Sequence, residues 1–269
     1  MQPLLQVENL VKSYAAGRFT NTTPAFAALD GVSLSIQPQS TLALVGESGS
    51  GKSTLAFCVA CLEVPTSGSI WFEGANIAVL EEKQRRKVRP RIQLVFQDPA
   101  NSLNPRWTAL EIVGEPLLVQ RQFTQQERTD KVFALFERVA LPLKIAERKP
   151  DELSGGQKQR LAIARALALE PKLLVLDEAL SALDCSVQAQ ISNLLVELQN
   201  SLGLTYLFIT HDFAMASHLA DQIAVMHRGR IVECGPAADI LRAPSHEATR
   251  SLLAATPRFL DPPGALVNG

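Results

Sequence analysis

The stretch Gly46-Glu47-Ser48-Gly49-Ser50-Gly51-Lys52-Ser53 constrains this chain more than any other. It follows a short apolar run, Thr41 to Val45, of the buried-strand kind, and opens into a helical segment from Lys52 to about Leu62 that Pro65 and Gly68 stop. Glycines at 46, 49 and 51 allow a tight loop whose backbone N–H groups point inward at an anion. The helix that starts at Lys52 adds the positive end of its dipole. A complete G-x-x-x-x-G-K-[ST] between a strand and a helix predicts a phosphate cradle running from Gly46 to Thr54. Lys52 then reaches the outer phosphates, and the Ser53 hydroxyl faces Mg²⁺. The bland alternative, a glycine–serine turn that happens to precede a helix, accounts for neither the completeness of the pattern nor its context.

Around the loop the chain alternates strand and helix. Leu4 to Val11 reads as a strand, followed by a loop rich in Thr, Asn and Pro from Ala15 to Pro24; Ala25 to Leu29 and Val32 to Ile36 read as two more strands about an Asp30-Gly31 turn. Ser69 to Glu73 and Ile92 to Phe96 are further strands. From Asp98 to about Asp151 the periodicity turns helical, notably over Leu110 to Leu118 and Thr124 to Ala140, with prolines as punctuation. Alternation then resumes: helix Gly156 to Leu169, strand Leu173 to Leu176, helix Val187 to Leu202, strand Tyr206 to Thr210, strand Gln222 to Met226. This order predicts an α/β fold with a parallel sheet covered by helices on both faces and interrupted by a helical insertion. There is no internal repeat, so one nucleotide-binding unit is expected.

Bulk properties exclude more than they specify. With 269 residues, 46% hydrophobic and 20% charged, the chain has the composition of an ordinary globular protein. A net charge of -1 gives no global attraction to nucleic acid or anionic lipid. Lys83 to Arg91 holds six basic residues in nine, but no aromatic residues interleave for base stacking. A solvated helix face ahead of a strand is the expectation, and no nucleic-acid partner. Cys58 and Cys61 form a lone C-x-x-C with no second pair, so buried apolar positions are expected rather than zinc. No basic stretch followed by an apolar core marks a signal peptide, and no run approaches the ~18 apolar residues of a membrane span.

Two further motifs narrow the chemistry. Leu173 to Glu178 is an apolar strand ending in two carboxylates; Asp177 can support Mg²⁺ and Glu178 can polarise an attacking water. Leu153-Ser154-Gly155-Gly156-Gln157 places a hydroxyl and two glycines at a helix N-terminus, a second anion cradle. One chain does not need two cradles for one terminal phosphate. The LSGGQ stretch resembles the signature sequence of ABC (ATP-binding cassette) ATPases.

That resemblance covers residues 4 to 235 and carries several positions with it. It implies ATP and Mg²⁺ as ligands, and a P-loop NTPase (RecA-like) core with an antiparallel β-subdomain and an inserted α-helical subdomain. The core would span 1–97 and 152–235, the helical insertion 98–151, and a C-terminal tail 236–269. Gln97 matches the glutamine that contacts Mg²⁺ and water and senses the membrane partner. Ser181 to Asp184 matches the loop that communicates across a dimer interface, His211 the histidine near the γ-phosphate, and Tyr14 the aromatic residue that stacks on adenine. Ser154, Gly155, Gly156 and Gln157 would close on ATP held by a second such subunit. His218, His227 and His246 match no motif and are expected at the surface or in packing.

Phe96 to Arg106 and the tail His246 to Pro257 are similar to the peptide/nickel importer branch of that family, although Glu247 and Ala248 stand where that branch usually has Pro and Tyr. No cysteine follows Cys234, so no iron–sulfur extension is expected. The resemblance implies two membrane permease subunits, an extracytoplasmic solute-binding protein, a related or identical second ATPase subunit, and a place on the cytoplasmic face of the membrane. The competing class is a soluble ABC ATPase of translation or DNA repair, which usually carries two cassettes or a long coiled-coil insertion; a P-loop kinase gives no account of LSGGQ.

Overall fold

A computed structural model describes residues 2–14, 26–97 and 102–255. The expected loop from Ala15 to Pro24, the centre of the Phe96–Arg106 stretch and the end of the tail lie outside the described residues. In chain order the elements are β1 (Leu5–Tyr14), β2 (Phe26–Ile36), β3 (Thr41–Val45), α1 (Lys52–Val59), β4 (Ser67–Phe72), β5 (Ala75–Asn76), α2 (Glu82–Val88) and β6 (Ile92–Val95). They continue with α3 (Ala109–Gln120), α4 (Gln125–Arg138), α5 (Gly155–Leu167), β7 (Leu173–Asp177), α6 (Cys185–Leu202), β8 (Thr205–Thr210) and α7 (Phe213–Leu219). Last come β9 (Gln222–His227), β10 (Arg230–Pro236), α8 (Ala237–Arg242) and α9 (Glu247–Ala255).

The main sheet has the order β10-β9-β3-β8-β7-β6. All of its pairings are parallel except that of β10 on the β9 edge. Every residue of β3, β7 and β8 is buried, as continuous apolar runs covered on both faces require. Their side chains alternate between two cores. Ala43, Val45, Leu174, Leu176, Tyr206 and Phe208 face the helices α3 to α7. Leu42, Leu44, Leu173, Val175, Leu207 and Ile209 face α1 and the second sheet. That second sheet is antiparallel with the order β2-β1-β4-β5.

The helical insertion is built from local rules. Thr108 with Glu111, Thr124 with Glu127 and Ser154 with Gln157 each form a reciprocal capping box, so α3, α4 and α5 all start on an [ST]-x-x-[EQ] pattern. Ala109, Ile112, Val113 and Leu117 then give α3 a buried stripe at helical spacing.

Three local expectations change. Asp30-Gly31 is not a turn: β2 runs through it, and the register slips from Leu10↔Val32 to Val11↔Asp30, leaving Gly31 as an unpaired bulge with φ 74°. A glycine at positive φ serves a bulge as readily as a turn, and the wide β1 partner decides which. Helix α1 ends at Val59 rather than near Leu62; Cys61 takes φ 58°, and the Arg89 guanidinium donates to its carbonyl at 2.9 and 3.3 Å. The Arg89 that performs this cap comes from the basic run, whose helix α2 buries none of its residues. Strand β9 forms where expected, while strand β10 and helices α7 to α9 extend the core beyond the expected elements.

Cys58 and Cys61 are buried free thiols, and burial pushes the Cys58 thiol up to about 12. Among the described residues no helix is long and apolar enough to cross a membrane.

Candidate nucleotide site

The parallel strands all end on one side of the sheet, where crevices outside the carboxyl ends of strands bind ligands. Gly46 follows β3, Gln97 follows β6 closely, Glu178 follows β7 and His211 follows β8. Sheet order therefore brings four distant stretches of sequence together.

The loop after β3 is held from below by hairpin β9–β10. A Cβ on Gly46 would lie 2.3 Å from the Met226 carbonyl oxygen, and one on Gly51, at φ 109°, would lie 2.3 Å from that of Ala28. Gly229 N–H donates to the Ser50 carbonyl at 2.9 Å. Glycine is thus demanded at 46 and 51 by close backbone approach, and Met226 and Gly229 are supports that no local sequence signal marks. The Ser50 hydroxyl is buried with no hydrogen-bond partner.

Lys52, with its side chain only 4% exposed, donates to the Gly46 carbonyl at 2.7 Å and to the Glu47 carbonyl at 2.8 Å. Its Nζ is also 3.9 Å from Glu178 Oε1. Burial pulls the Lys52 ammonium below its ordinary range, while Glu178, Asp177 and Glu47 oppose that shift.

Three groups converge on the Glu178 carboxylate. Gln97 Nε2 donates to Oε2 at 2.8 Å, while Lys52 Nζ and His211 Nδ1 lie 3.9 and 3.8 Å from Oε1. The Glu178 side chain is 18% exposed, so it is ordered but still reachable by water. Its backbone sits at φ 47°, a conformation disfavoured for any residue with a Cβ, and Glu178 N–H donates to the Ile209 carbonyl at 3.0 Å. A carboxylate held at a strained position with one face open can orient a water for in-line attack.

Beside it, Asp177 is buried with Oδ1 unpaired, and it is hydrogen-bonded to the Ser53 hydroxyl. Burial raises the Asp177 carboxyl, against the Ser53 hydrogen bond; Glu178 pushes it further up and Lys52 down. An unpaired buried carboxylate oxygen, a serine hydroxyl and the Gln97 amide make a hard-oxygen donor set that fits Mg²⁺. Among the described residues no three His, Cys, Asp or Glu side chains form a preformed metal cage.

Tyr14 lies at the end of β1, 41% exposed, with Lys12 Nζ 5.0 Å from its ring centroid. A flat aromatic face at that edge can stack on a base. Ser154 to Gln157 stand apart. Ser154 Oγ accepts from Gln157 N–H at 3.3 Å, and Gln157 Oε1 accepts from Ser154 N–H at 3.0 Å. The Ser154 hydroxyl proton stays free to donate outward, and Ser154 and Gly155 are exposed. Among the described residues no hydrogen bond or ion pair joins them to residues 46–54. Asp184 is the N-cap of α6, accepting from Val187 N–H at 2.9 Å and the Ser186 hydroxyl at 2.8 Å; the Val187 bond leads in holding its carboxyl low. Of the remaining histidines, His246 Nδ1 accepts from Ala248 N–H at 3.1 Å and His218 faces Asn193.

The sequence profile of the ABC transporter family matches residues 29–181. The chain is 47% identical over 256 residues, 94% of its length and 72% of the relative's, to the probable peptide ABC transporter ATP-binding protein y4tS of Sinorhizobium fredii. It is 43% identical over 260 residues, 96% of its length and 78% of the relative's, to the dipeptide transport ATP-binding protein DppF of Escherichia coli. Among solved structures it resembles the dimeric, post-hydrolysis ATP-binding cassette MJ0796 bound to ADP and Pi, with a TM-score of 0.78 and 32% identity, covering 87% of this chain and 98% of that one.

Proposed function

This chain belongs to the ABC transporter family, and from that premise we propose that it is the ATP-hydrolysing subunit of a multi-subunit importer for peptides, working in pairs on the cytoplasmic face of a membrane. The observation that carries the hydrolytic part is the convergence of Gln97, Lys52 and His211 on the Glu178 carboxylate. The peptide assignment rests on relatives that match nearly the whole chain and are named for peptide and dipeptide transport. The same relatives set aside a role in translation or repair, and a P-loop kinase leaves Ser154 to Gln157 without work.

In this reading Gly46 to Thr54 wrap the phosphates of ATP with backbone N–H groups, and Lys52 exchanges its loop carbonyls for β- and γ-phosphate oxygens. Ser53, Asp177 and Gln97 are the residues that would hold Mg²⁺, which supplies charge neutralisation at those phosphates. Tyr14 stacks on the adenine. Glu178 accepts a proton from the attacking water as that water's oxygen bonds to the γ-phosphorus and the bond to the ADP oxygen breaks. His211, 58% exposed on the solvent side of Glu178, donates to the γ-phosphate. Ser154 to Gln157 complete the site of a second cassette, identical or related, and Asp184 lies at that junction. Residues 98–151 form the helical subdomain that, with Gln97, transmits closure to two permease subunits served by an extracytoplasmic binding protein.

The test is reconstitution. Membranes holding the chain with its permease subunits should hydrolyse ATP faster when peptide-loaded binding protein is added. Failure of the chain to co-purify with any integral membrane subunit would overturn the importer reading.

A further inference from the structure

The Glu178 carboxylate stands on a backbone that has to be held. A residue with a Cβ at φ 47° keeps that conformation only where its surroundings fix it. Glu178 N–H donates to the Ile209 carbonyl at 3.0 Å, and the Glu178 carbonyl accepts from Ser181 N–H and Ser181 Oγ at 3.1 and 2.9 Å. Residues 178–181 are thus one tight turn, anchored to β8 at its first residue. Beside this turn lies a cavity of about 60 Å³ whose walls include Glu178, Ser181, Gln188, His211 and Met215. A segment that borders open space has no packed neighbour on that side to resist displacement.

Gln188 supplies the missing restraint. It lies three and four residues before the buried Ile191 and Ser192 of α6, at the head of that helix's inward stripe, where an aliphatic side chain would extend the core. Instead its side chain turns back toward the loop, and Nε2 donates to the Leu180 carbonyl at 3.0 Å. That carbonyl already accepts from Leu183 N–H at 3.2 Å, so the second bond is not needed to satisfy it; what the bond adds is position. Among the described residues no other side-chain hydrogen bond joins α6 to residues 178–181.

We infer that Gln188 is a positioning residue for hydrolysis: by tying the Leu180 carbonyl to α6 it holds the 178–181 turn away from the cavity, and so keeps the Glu178 carboxylate where it can meet the attacking water. The inference rests on the role proposed above for Glu178. Gln188 itself touches neither nucleotide nor water in this role. It acts only through the turn.

The test is Gln188→Met, which keeps the length and bulk of the side chain but cannot donate, beside Gln188→Glu, which turns an acceptor toward the Leu180 carbonyl. Both are read in the chain assembled with its cassette and permease partners. In Gln188→Met kcat should fall about tenfold, and in Gln188→Glu further, since a misplacement of about 1 Å can cost about 10²-fold. ATP affinity, carried by residues 46–54, should stay within about twofold in both. The thermal midpoint of Gln188→Met should stay within about 2 °C of the parent, because the Leu180 carbonyl keeps its bond from Leu183 N–H. A kcat within about twofold of the parent in Gln188→Met would show that the bond positions nothing. A fall in kcat matched by an equal loss of ATP affinity, or by a lower midpoint in Gln188→Met, would show a contact that only supports the fold; either result overturns the inference. Glu178→Gln, run alongside, separates the premise. Normal hydrolysis by that variant removes Glu178 as the base and the role of Gln188 with it, whereas an inactive Glu178→Gln beside a fully active Gln188→Met overturns the role of Gln188 alone.

Discussion

The two proposed anion cradles of this chain are built in opposite ways. The loop from Gly46 to Ser53 is locked from behind: backbone carbonyls of Met226 and Ala28 leave no room for a Cβ at 46 or 51, and Lys52 is buried against two of the loop's own carbonyls and Glu178. The Ser154 to Gln157 cradle is a helix start, exposed at Ser154 and Gly155, whose Ser154 and Gln157 side chains cap each other's backbone N–H groups. Gly155 has 3.4 Å of clearance to Leu183, where Gly46 has 2.3 Å to a main-chain oxygen. A rigid, enclosed cradle suits a ligand that one chain holds by itself. An open one, with a free hydroxyl and no tie to the first, suits a ligand presented by another chain. The contrast supports the proposal that this protein is half of an active site.

The largest expected effect falls on the enclosed side. Glu178→Gln should keep nucleotide affinity yet cut turnover by about 10²–10⁴-fold, the usual range for losing a general base; single-turnover hydrolysis at saturating ATP measures it. Lys52→Ala should act on binding instead. Losing the charge-assisted contacts of one ammonium, about 1.5–3 kcal/mol, weakens ATP affinity by roughly 10- to 150-fold in a calorimetric titration.

A paired glycine substitution sharpens the contrast. Gly46→Ala must displace the main chain of hairpin β9–β10 and should cost about 1–3 kcal/mol of stability by chemical denaturation. Gly155→Ala meets only ordinary van der Waals contact, so its stability should change by less than about 1 kcal/mol in the helix-favouring direction. If the two variants denature alike, the enclosed and open cradles are not built differently.

The smallest effect lies far from both, in the tail. Glu233 accepts hydrogen bonds from Ser245 N–H and Oγ, His246 N–H and Thr249 Oγ1, tying α9 to β10. Partial burial pushes its carboxyl up, but these bonds outweigh it and hold the value at about 2, below the ordinary 4.5. A depressed carboxylate stabilises the fold above its unfolded value and loses that contribution as pH falls through the folded one. Amide protection in 247–255 should therefore drop between pH 4.5 and 2, and Glu233→Gln should show that drop already at neutral pH.

How much of this was legible in the sequence depends on how local each cause is. Gly46 to Ser53 is a contiguous pattern with one physical purpose, so strand, loop and helix could all be read from it. The capping boxes that start α3, α4 and α5 are equally local. Gln97, Glu178 and His211 meet through the order of β6, β7 and β8, which no periodicity reports; only the family resemblance placed them together. The props under the phosphate loop, Met226 and Gly229, lie some 180 residues downstream in a hairpin of which only the first strand was expected. The bulge at Gly31 reads from sequence as a turn because a positive φ serves both, and the β1 register that separates them is a tertiary fact.

Whether this chain holds half of a site completed by another cassette can be read from turnover per chain against total cassette concentration, alone and with the second cassette added. A shared site gives turnover that rises with cassette concentration while ATP affinity per chain stays fixed, and a rise that Ser154→Arg abolishes. Turnover independent of concentration and undiminished by Ser154→Arg would contradict it.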